Sequence, residues 1–521
     1  MIKIFNLLLL LLFTMLMCLL SWGAIFIQID MFNPFSSVSW SWLFFFDVYS
    51  TSFSSVVLLI SSSIMFYSLS YMQQEKEKIK FFLTLFLFIL SMLILIFSFN
   101  ISSLLVGWDG LGVTSFLLIY FYHSLKSVNS SLVTLTLNRV GDLMIIFSIT
   151  MGLMLYTWNF FFSEETVKIF NFLLMMAALS KSAQLPLSSW LPLAMAAPTP
   201  VSSLVHSSTL VTAGVYLLYR APASMISHLS DYIFFISSLT LIMSSIVALQ
   251  SFDLKEIVAF STMSHISLMM MGISNGLYKF SFFHLCAHAL FKALLFMCSG
   301  YLIYLHSGKQ DIRTLHLNAQ NYKVKYIFFI SSCSMMGLPF MAGFYSKDGL
   351  IDESSFMSVS MLFVIPVLLS SMYTLRLLFY VCLAKVSGLE LKSNDMMSLS
   401  MFTLSWFSIF GGAVIQWSLF PLLFISSMPW MKILILTMLA MSSMILLFTP
   451  KFKYVNFFFF LLVDKTYTLN FYFTKLSRSF FFLEKGWLTS PFSALTQWTF
   501  SSLSYKTLIW SLSLMMVFSF L

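Results

Sequence analysis

The sequence predicts an all-α polytopic membrane protein with about 15 transmembrane helices. Of its 521 residues, 59% are hydrophobic and only 9% are charged, whereas soluble domains carry about 25% charged residues. Apolar stretches of about 20 residues recur along the whole length, and each can cross a bilayer core of ~30 Å. No stretch between these runs is long enough to form a separate soluble domain.

The apolar runs set the approximate limits of the helices. The first run is too long for a signal peptide and lacks a small-residue cleavage site, so we interpret it as a span. The five cysteines lie in apolar runs without a CxxC pair, which favours buried packing over disulfide or metal roles. The predicted spans are 4–27, 51–71, 80–98, 101–122, 131–155, 166–184, 198–219, 230–250, 254–274, 278–305, 323–344, 356–385, 397–420, 431–449 and 505–521.

Charges in the loops differ between the two sides of the membrane. The net charge is +9, and alternating loops assign most cations to one side, hereafter the basic side. Cations concentrate on the positive-inside face, so the N-terminus is predicted there and the C-terminus opposite. The basic side collects Lys3, Lys76, Lys78, Lys80, Lys126, Lys255, Lys309, Arg313, Lys323, Lys325, Lys385, Lys392, Lys451 and Lys453. The other side has Arg220, Lys279, Lys432, Asp30, Asp47, Glu164 and Glu165.

The segment 450–500 differs from the spans because it is rich in aromatic residues and punctuated by charge. Asp464, Lys475, Arg478 and Lys485 share one face of a 3.6-residue helix. A single helix here exceeds a bilayer span, so we predict a C-terminal lateral amphipathic helix along the membrane surface. Two short surface helices are the alternative. A final anchor helix is predicted at 505–521.

Two sets of five helices repeat along the chain, at 80–219 and 230–385. In each, the fourth helix carries a lysine beside a break: Lys181 precedes Pro186, and Lys347 follows Gly337. An odd number of helices per set makes the second inverted relative to the first. Interrupted helices at matching positions of inverted halves point to an ion pathway. The remaining divisions are N-terminal helices at 1–79 and two further helices at 397–449.

Few ionisable side chains fall inside the predicted spans, and each is a candidate for function because charges are costly in a bilayer. For each, the alternative is a salt bridge that only holds two helices together. The candidates are Asp109, Arg139, Asp142, Lys181, His206, His284, His288, Lys292, Lys347, Asp348 and Arg376.

The spacing of these candidates suggests proton transfer. His284, His288 and Lys292 follow one another at four-residue intervals and form one polar stripe, which suits proton hopping better than zinc binding because no Glu or Cys completes a ligand set. We expect Lys181 to pair with Asp109, because moving a counter-ion changes the proton affinity of a buried lysine. The chain has no dinucleotide fingerprint, iron–sulfur cysteine set or P-loop, and so no visible energy source.

Several stretches resemble one known family. GWDGLGVTSFLLIYFY, LNRVGDLMIIFSI, KSAQLPLSSWLPLAMAAPTPVSSLVHSSTL, DLKEIVAFSTMSHISL, HLCAHALFKALLFMC and GLPFMAGFYSKD resemble the antiporter-like chain 5 family of mitochondrial NADH–ubiquinone oxidoreductase, or respiratory complex I. The resemblance implies two inverted five-helix bundles, each with a broken helix. It also implies proton translocation across the inner mitochondrial membrane, coupled to NADH oxidation and ubiquinone reduction in other subunits.

The resemblance further implies the molecular setting. NADH, FMN, iron–sulfur clusters and ubiquinone belong to other subunits, and this chain binds neither cofactor nor metal. Expected partners are other membrane-arm subunits, especially the adjacent antiporter-like chain 4, accessory subunits along the lateral helix, and lipids including cardiolipin, but not nucleic acid. The N-terminus and lateral helix are expected on the matrix side and the C-terminus on the intermembrane side.

The family's functional residues carry over where the motifs match. The essential acid, commonly Glu, is Asp109 here, the central lysine is Lys181, and the bridging histidine is His206. The stripe from His284 to Lys292 leads to the exit lysine, Lys347, with Asp348 beside it. His265 stands where many relatives have Gln, and it either adds a titratable group to the central axis or merely packs; one span fewer precedes Asp47. The residues that we predict to support the pathway, from the sequence itself, are Arg139, Asp142, His265 and Arg376.

Two other classes of function remain open on the sequence. One is the large subunit of a multisubunit cation/proton antiporter, which would exchange ions in vesicles without NADH. The other is a scaffold without a transport role, in which Lys181→Met would harm assembly rather than pumping.

Overall fold

The computed structural model describes residues 25–30, 41–154, 167–221, 228–315, 317, 321–354, 360–383, 395–419 and 437. Outside these lie most of the predicted spans 4–27 and 431–449, the lateral segment 450–500 and the span 505–521. The described helices are α1 (Val48–Tyr71), α2 (Lys78–Phe97), α3 (Ile101–Tyr120), α4 (Leu125–Met154), α5 (Val167–Lys181), α6 (Thr199–Arg220), α7 (Ser230–Gln250), α8 (Leu254–Ser274), α9 (Tyr278–Leu305), α10 (Tyr322–Met336), α11 (Ala342–Ser354), α12 (Ser360–Leu378) and α13 (Asp395–Leu419).

The helical prediction is confirmed at the level of class. Within the described ranges, ten helices are long and apolar enough to cross a membrane. The predicted span 323–344 is two helices, α10 and α11, separated by a break. The total of 15 helices and the lateral helix remain predictions.

A β-hairpin stands where the sequence predicts the end of the first span. Strand β1 (Ile25–Asp30) pairs antiparallel with β2 (Ser41–Phe46). Both strands are rich in Ile, Phe and Trp, which favour strands, and the predicted span 4–27 therefore ends too late. Because an isolated hairpin is marginally stable, its contact with Phe99 matters: the Phe99 amide donates to the Leu43 carbonyl at 2.9 Å.

The most buried helices form the centre of the bundle. The apolar windows of α6, α8 and α9 are wholly buried within the protein, and that of α1 is 89% buried. Less than half of the corresponding window is buried in α4, α7 and α13. These three helices therefore present apolar side chains outward, as lipid-facing helices do, and the polar side chains of α8 and α9 are enclosed.

An ion pair ties the start of α1 to the end of α6. Arg220 donates two hydrogen bonds to the Asp47 carboxylate, at 2.7 and 2.8 Å. Asp47 also caps α1 by accepting from the Ser50 amide at 2.8 Å. Burial raises the pKa of the Asp47 carboxyl, but the Arg220 guanidinium outweighs that effect and holds the pKa below its usual value. Asp47 is therefore ionised throughout the physiological range.

We expect Asp47→Asn to destabilise the protein by about 3 kcal/mol, because it leaves Arg220 unpaired while largely buried. The measurement is the thermal midpoint of the intact complex. Because the folded pKa is depressed, the pair's contribution is present above the ordinary pKa of about 3.9 and is lost only as pH falls through the folded pKa. The difference in thermal midpoint between the parent and Asp47→Asn should thus be the same at all pH values between about 5 and 8.

Glu77→Gln is the matched control for this prediction. It makes the same carboxylate-to-amide change in an ion pair with Lys80 whose side chains are 49% and 73% exposed. Such exposed pairs contribute about 0–1 kcal/mol. If the thermal midpoint of Asp47→Asn were no lower than that of Glu77→Gln, the proposed contribution of the Asp47–Arg220 pair to stability would be contradicted.

Candidate functional site: a buried polar axis

The first break in the bundle places Lys181 at the end of α5. The helix stops at Lys181, and the next α-helical turn begins at Trp190. Trp190 then donates from its indole nitrogen back to the Ser180 carbonyl at 3.0 Å. The Lys181 side chain is fully buried, and its ammonium donates to the Trp108 carbonyl at 2.6 Å and lies 4.0 Å from the Trp108 ring centroid.

The predicted pair between Asp109 and Lys181 is wrong for this structure. Asp109 instead accepts from Arg139 at 3.2 Å, and Arg139 also lies 3.3 Å from Asp142. Within the described chain Lys181 has no carboxylate within 4.0 Å. Asp109 is next to the residue that Lys181 touches, but its side chain points toward α4, where Arg139 competes for it.

His206 lies on an irregular part of α6. Residues Ser202–Thr209 form π-helix rather than α-helix, a distortion that often marks functional sites. His206 is fully buried, and neither ring nitrogen has a hydrogen-bond partner among the described residues. Its ring is 6.2 Å from the Trp190 ring, so Trp190 stands between the end of α5 and His206.

Three histidines meet where α8 packs on α9. His265 and His284 lie 3.1 Å apart through Nδ1 and Nε2, and His284 Nδ1 is 2.9 Å from the Ser346 hydroxyl. The His288 ring is 5.4 Å from that of His265, and no hydrogen-bond partner of His288 lies in the described part of the chain. His265 thus belongs to the histidine cluster rather than merely packing nearby.

Lys292 continues this cluster toward the second break. It donates to the Ser261 hydroxyl and lies 3.0 Å from the Met335 sulfur. Lys347 donates to the carbonyl of the same Met335, and to the Ser370 hydroxyl at 3.2 Å. Met335 therefore joins the two lysines, which are both almost completely buried.

The second break brings Lys347 to that position. Helix α10 ends at Gly337, whose φ of +85° is the left-handed conformation that glycine adopts readily. Helix α11 then starts against the end of α10: a methyl group on Gly343 would lie 1.8 Å from the Ser334 carbonyl oxygen. Only a glycine allows this approach, which sets Lys347 beside the last turn of α10.

Two predicted candidates lie differently. Asp348 is buried next to Lys347. Arg376 is not part of the axis: it donates to the Leu249 carbonyl at the end of α7, and its guanidinium lies 4.9 Å from the Phe252 ring. Its contacts fasten α12 to α7.

Lys255, which the sequence analysis places among the basic-side charges, is a buried lysine. It lies in the first turn of α8 and is 6% exposed, and its ammonium donates to the Ala197 carbonyl at 2.9 Å. A cation in the first turn of a helix opposes the helix dipole. This unfavourable position in the sequence indicates that Lys255 needs hydrogen-bond acceptors from outside its own helix.

These contacts define a buried polar axis, a name used below for Lys181, His206, His265, His284, His288, Lys292 and Lys347. Its members lie beside the first break, in α6, in the histidine cluster and beside the second break, and each can take up and release a proton. In the part of the chain that the structure covers, no group of three or more His, Cys, Asp or Glu side chains could hold a metal ion.

Fold and axis together define an antiporter-like multi-pass membrane protein. A family model described as NADH:quinone oxidoreductase/Mrp antiporter, TM matches residues 98–374, and one described as NADH-Ubiquinone oxidoreductase (complex I), chain 5 N-terminus matches residues 32–82. The chain belongs to the NADH-ubiquinone oxidoreductase chain 5 family.

Individual relatives agree with this assignment. The chain 5 protein of Locusta migratoria is 40% identical over 421 residues, which cover 77% of this chain and 73% of the relative. That of Aedes aegypti is 41% identical over 394 residues, or 72% of this chain and 68% of the relative.

Solved structures share the fold at low sequence identity. A chain of the Mrp complex from Dietzia sp. DQ12-45-1b has a TM-score of 0.75 at 21% identity, covering 93% of this chain and 58% of that one. A chain of the membrane-bound sulfane sulfur reductase, an archaeal respiratory membrane complex, has a TM-score of 0.71 at 18% identity, with 87% and 93% covered.

Proposed function

We propose that this chain is a proton-translocating membrane subunit of a mitochondrial NADH–ubiquinone oxidoreductase. Family membership supports the assignment to the complex, and the polar axis supports the transport role. NADH oxidation and ubiquinone reduction, with FMN and iron–sulfur clusters, belong to other subunits. In this proposal the chain converts a signal from those subunits into proton movement and performs no redox chemistry.

The observation that carries the transport role is the close series of buried ionisable side chains from His284 to Lys347. His284 touches His265, Lys292 follows two turns along α9, and Met335 contacts both Lys292 and Lys347. A proton can move between such neighbours with short rotations of side chains. Lys347, beside the second break, is the last ionisable member of this series and serves as the exit group.

The first half of the axis holds the switch in this proposal. Lys181 is held by the Trp108 carbonyl, and Asp109 is held by Arg139. Because Trp108 and Asp109 are adjacent, a small rotation of α3 would exchange the carbonyl for the carboxylate as the partner of Lys181. Releasing Asp109 from Arg139 would thus raise the proton affinity of Lys181, and recapturing it would favour transfer to His206.

The finer architecture is proposed with the function. It includes 15 transmembrane helices, with sets 80–219 and 230–385 as inverted repeats, a lateral helix over 450–500, and an anchor at 505–521. The basic side faces the matrix, with the N-terminus and lateral helix, and the C-terminus faces the intermembrane space. Partners are the neighbouring antiporter-like chain 4, other membrane-arm and accessory subunits, and cardiolipin.

A cation/proton antiporter is the second candidate function, favoured by the structural likeness to the Mrp complex. The two differ in their energy source. An antiporter exchanges cations for protons across sealed vesicles without NADH. Sodium-driven proton exchange in NADH-free vesicles that contain this chain would favour the antiporter.

The proton-pumping role is tested by Lys347→Met in inner-membrane vesicles that contain the assembled complex. We expect fewer protons translocated per electron, because the exit group no longer accepts the proton from Lys292. The measurement compares proton uptake with NADH oxidation in the same vesicles. Lys323→Met, an exposed lysine on α10, is the control and should leave the ratio unchanged. An unchanged ratio in Lys347→Met would refute the proposed exit role.

A further inference from the structure

Three hydroxyl groups meet at the basic-side ends of α1, α6 and α9. A methyl group on Gly300 would lie 2.6 Å from the Thr199 hydroxyl and 2.7 Å from the Tyr67 hydroxyl, so both oxygens pack against the bare backbone of α9. Thr199 also interacts with Tyr71, whose ring stacks on that of Tyr67 with centroids 5.8 Å apart. Gly300 provides the space in which this hydroxyl cluster (Tyr67, Tyr71, Thr199) forms.

Two members of the hydroxyl cluster are buried but do not bond to the backbone. Tyr67 is 0% exposed and Thr199 is 1% exposed, and neither hydroxyl donates to a carbonyl in the described chain; their polar neighbours are one another and Tyr71. Most buried Ser and Thr hydroxyls in this protein donate to a carbonyl of their own helix, as Ser203 does to Pro200 at 2.9 Å. Buried hydroxyls normally satisfy their hydrogen-bonding capacity in this way, so two that do not donate to a carbonyl are candidates for a role in proton transfer.

The hydroxyl cluster connects outward to the basic-side surface. Tyr71 is the last residue of α1 and is half-buried. It interacts with Glu75, in the exposed turn before α2, and with Tyr122 beyond the end of α3. Protonatable groups therefore extend from an exposed carboxylate to the buried Thr199.

The hydroxyl cluster also points inward to the polar axis. Thr199 is the first residue of α6, and His206 follows seven residues later, about 10 Å deeper at 1.5 Å per residue. The serines between them donate to backbone carbonyls, whereas both nitrogens of His206 lack a partner in the covered part of the chain. A distance of about 10 Å is spanned by two or three water molecules.

We propose that Tyr67, Tyr71 and Thr199 form the entry by which protons from the basic side reach His206. The inference rests on the proposed function, since it supplies the uptake step for the same axis. Each hydroxyl accepts a proton on a lone pair while passing its own proton inward, so no hydroxyl gains net charge. One proton leaves the basic-side water and converts the His206 imidazole to imidazolium, and no electrons are transferred.

Thr199→Val tests the entry because it keeps the shape of the side chain and removes the hydroxyl. We expect NADH-driven proton translocation in vesicles to slow by about tenfold, below the ~10²-fold typical of a lost proton-transfer group, because water partly replaces one hydroxyl. Lowering the pH on the basic side should restore much of the rate, since uptake then limits turnover. Damage to packing alone would not produce this pH dependence.

The matched control is Thr134→Val. Thr134 is equally buried, but its hydroxyl donates to the Ser131 carbonyl of its own helix at 2.8 Å. It should translocate protons at the parental rate with the parental pH profile. Tyr67→Phe, which keeps the aromatic ring, should reproduce the Thr199→Val phenotype and carries the test if Thr199→Val does not assemble.

The outcomes separate the entry from the function itself. If Thr199→Val translocates protons at the parental rate and with the parental pH profile, the proposed proton entry is overturned. Where only Tyr67→Phe assembles, the same result in that variant overturns it. If Lys347→Met lowers the protons per electron in the same experiment, the proposed function stands while the entry fails. If Lys347→Met is also parental, the proposed function has failed.

Discussion

Lys181→Met is expected to stop proton passage along the polar axis, with a fall of ~10²-fold or more in translocation through this chain. The side chain is fully buried, and its ammonium is held by the Trp108 carbonyl. Methionine fills a similar volume but carries no proton. The measurement is proton uptake and NADH oxidation by the assembled complex in sealed vesicles.

Lys181→Arg distinguishes a proton carrier from a fixed charge. Arginine keeps the positive charge but does not release its proton in proteins. If Lys181 must cycle between protonation states, Lys181→Arg should be as inactive as Lys181→Met. Restoration of pumping by arginine would show instead that only the charge is needed.

Lys255→Met is the control matched for burial. Lys255 is also buried and also donates to a backbone carbonyl, that of Ala197, but it lies outside the polar axis. We expect Lys255→Met to reduce the amount of assembled complex, since the Ala197 and Met195 carbonyls lose their donor, and to leave the protons per electron of the assembled fraction unchanged. An equal loss of coupling in Lys255→Met would remove the special status of Lys181.

Helix positions were predictable because a helix that crosses a bilayer needs about 20 consecutive apolar residues, and such runs are visible in the sequence. The predicted span 101–122 is observed as Ile101–Tyr120, and 254–274 as Leu254–Ser274. The two breaks were also predictable, since Pro and Gly weaken a helix locally, although Pro366 is accommodated inside α12.

The partners of the ionisable groups were less predictable because they depend on how each helix is rotated. Asp109 and Lys181 are on neighbouring helices, yet Asp109 pairs with Arg139 on α4. The π-helical stretch Ser202–Thr209, which contains His206, was not predictable, because the hydrophobic pattern of a span does not distinguish π-helix from α-helix. Lys255 counts among the basic-side charges in the sequence because it is the second residue of the predicted span 254–274, and only the structure shows that the Ala197 carbonyl accepts from its buried ammonium.

The polar stripe on α9 was predictable from the spacing of its residues, for a reason that is specific to helices. Residues at four-residue intervals share a face whatever the rotation of the helix, so His284, His288 and Lys292 fall on one stripe of α9. The identity of the facing group required the structure. His265 from α8 completes the cluster at 3.1 Å from His284.

Gly343→Ala is expected to prevent correct assembly of the second break. The added methyl would lie 1.8 Å from the Ser334 carbonyl oxygen and 3.0 Å from its carbon, and both are backbone atoms that cannot rotate away. Overpacking of side chains costs about 1–3 kcal/mol, and a clash with backbone should cost at least that much. We expect a severalfold loss of assembled complex and a lower midpoint of thermal inactivation.

Gly112→Ala isolates the clash from other effects of the substitution. Gly112 is also within a helix, but a methyl group there would have no atom within 4 Å, and alanine favours the helix by about 1 kcal/mol. Gly112→Ala should therefore assemble at least as well as the parent.

In any Gly343→Ala complex that does assemble, α11 must shift away from α10, which moves Lys347 off the Met335 carbonyl. Its protons per electron should then fall toward the value for Lys347→Met. Parental assembly and a parental ratio in Gly343→Ala would show that the close approach of α10 and α11 does not position the exit lysine.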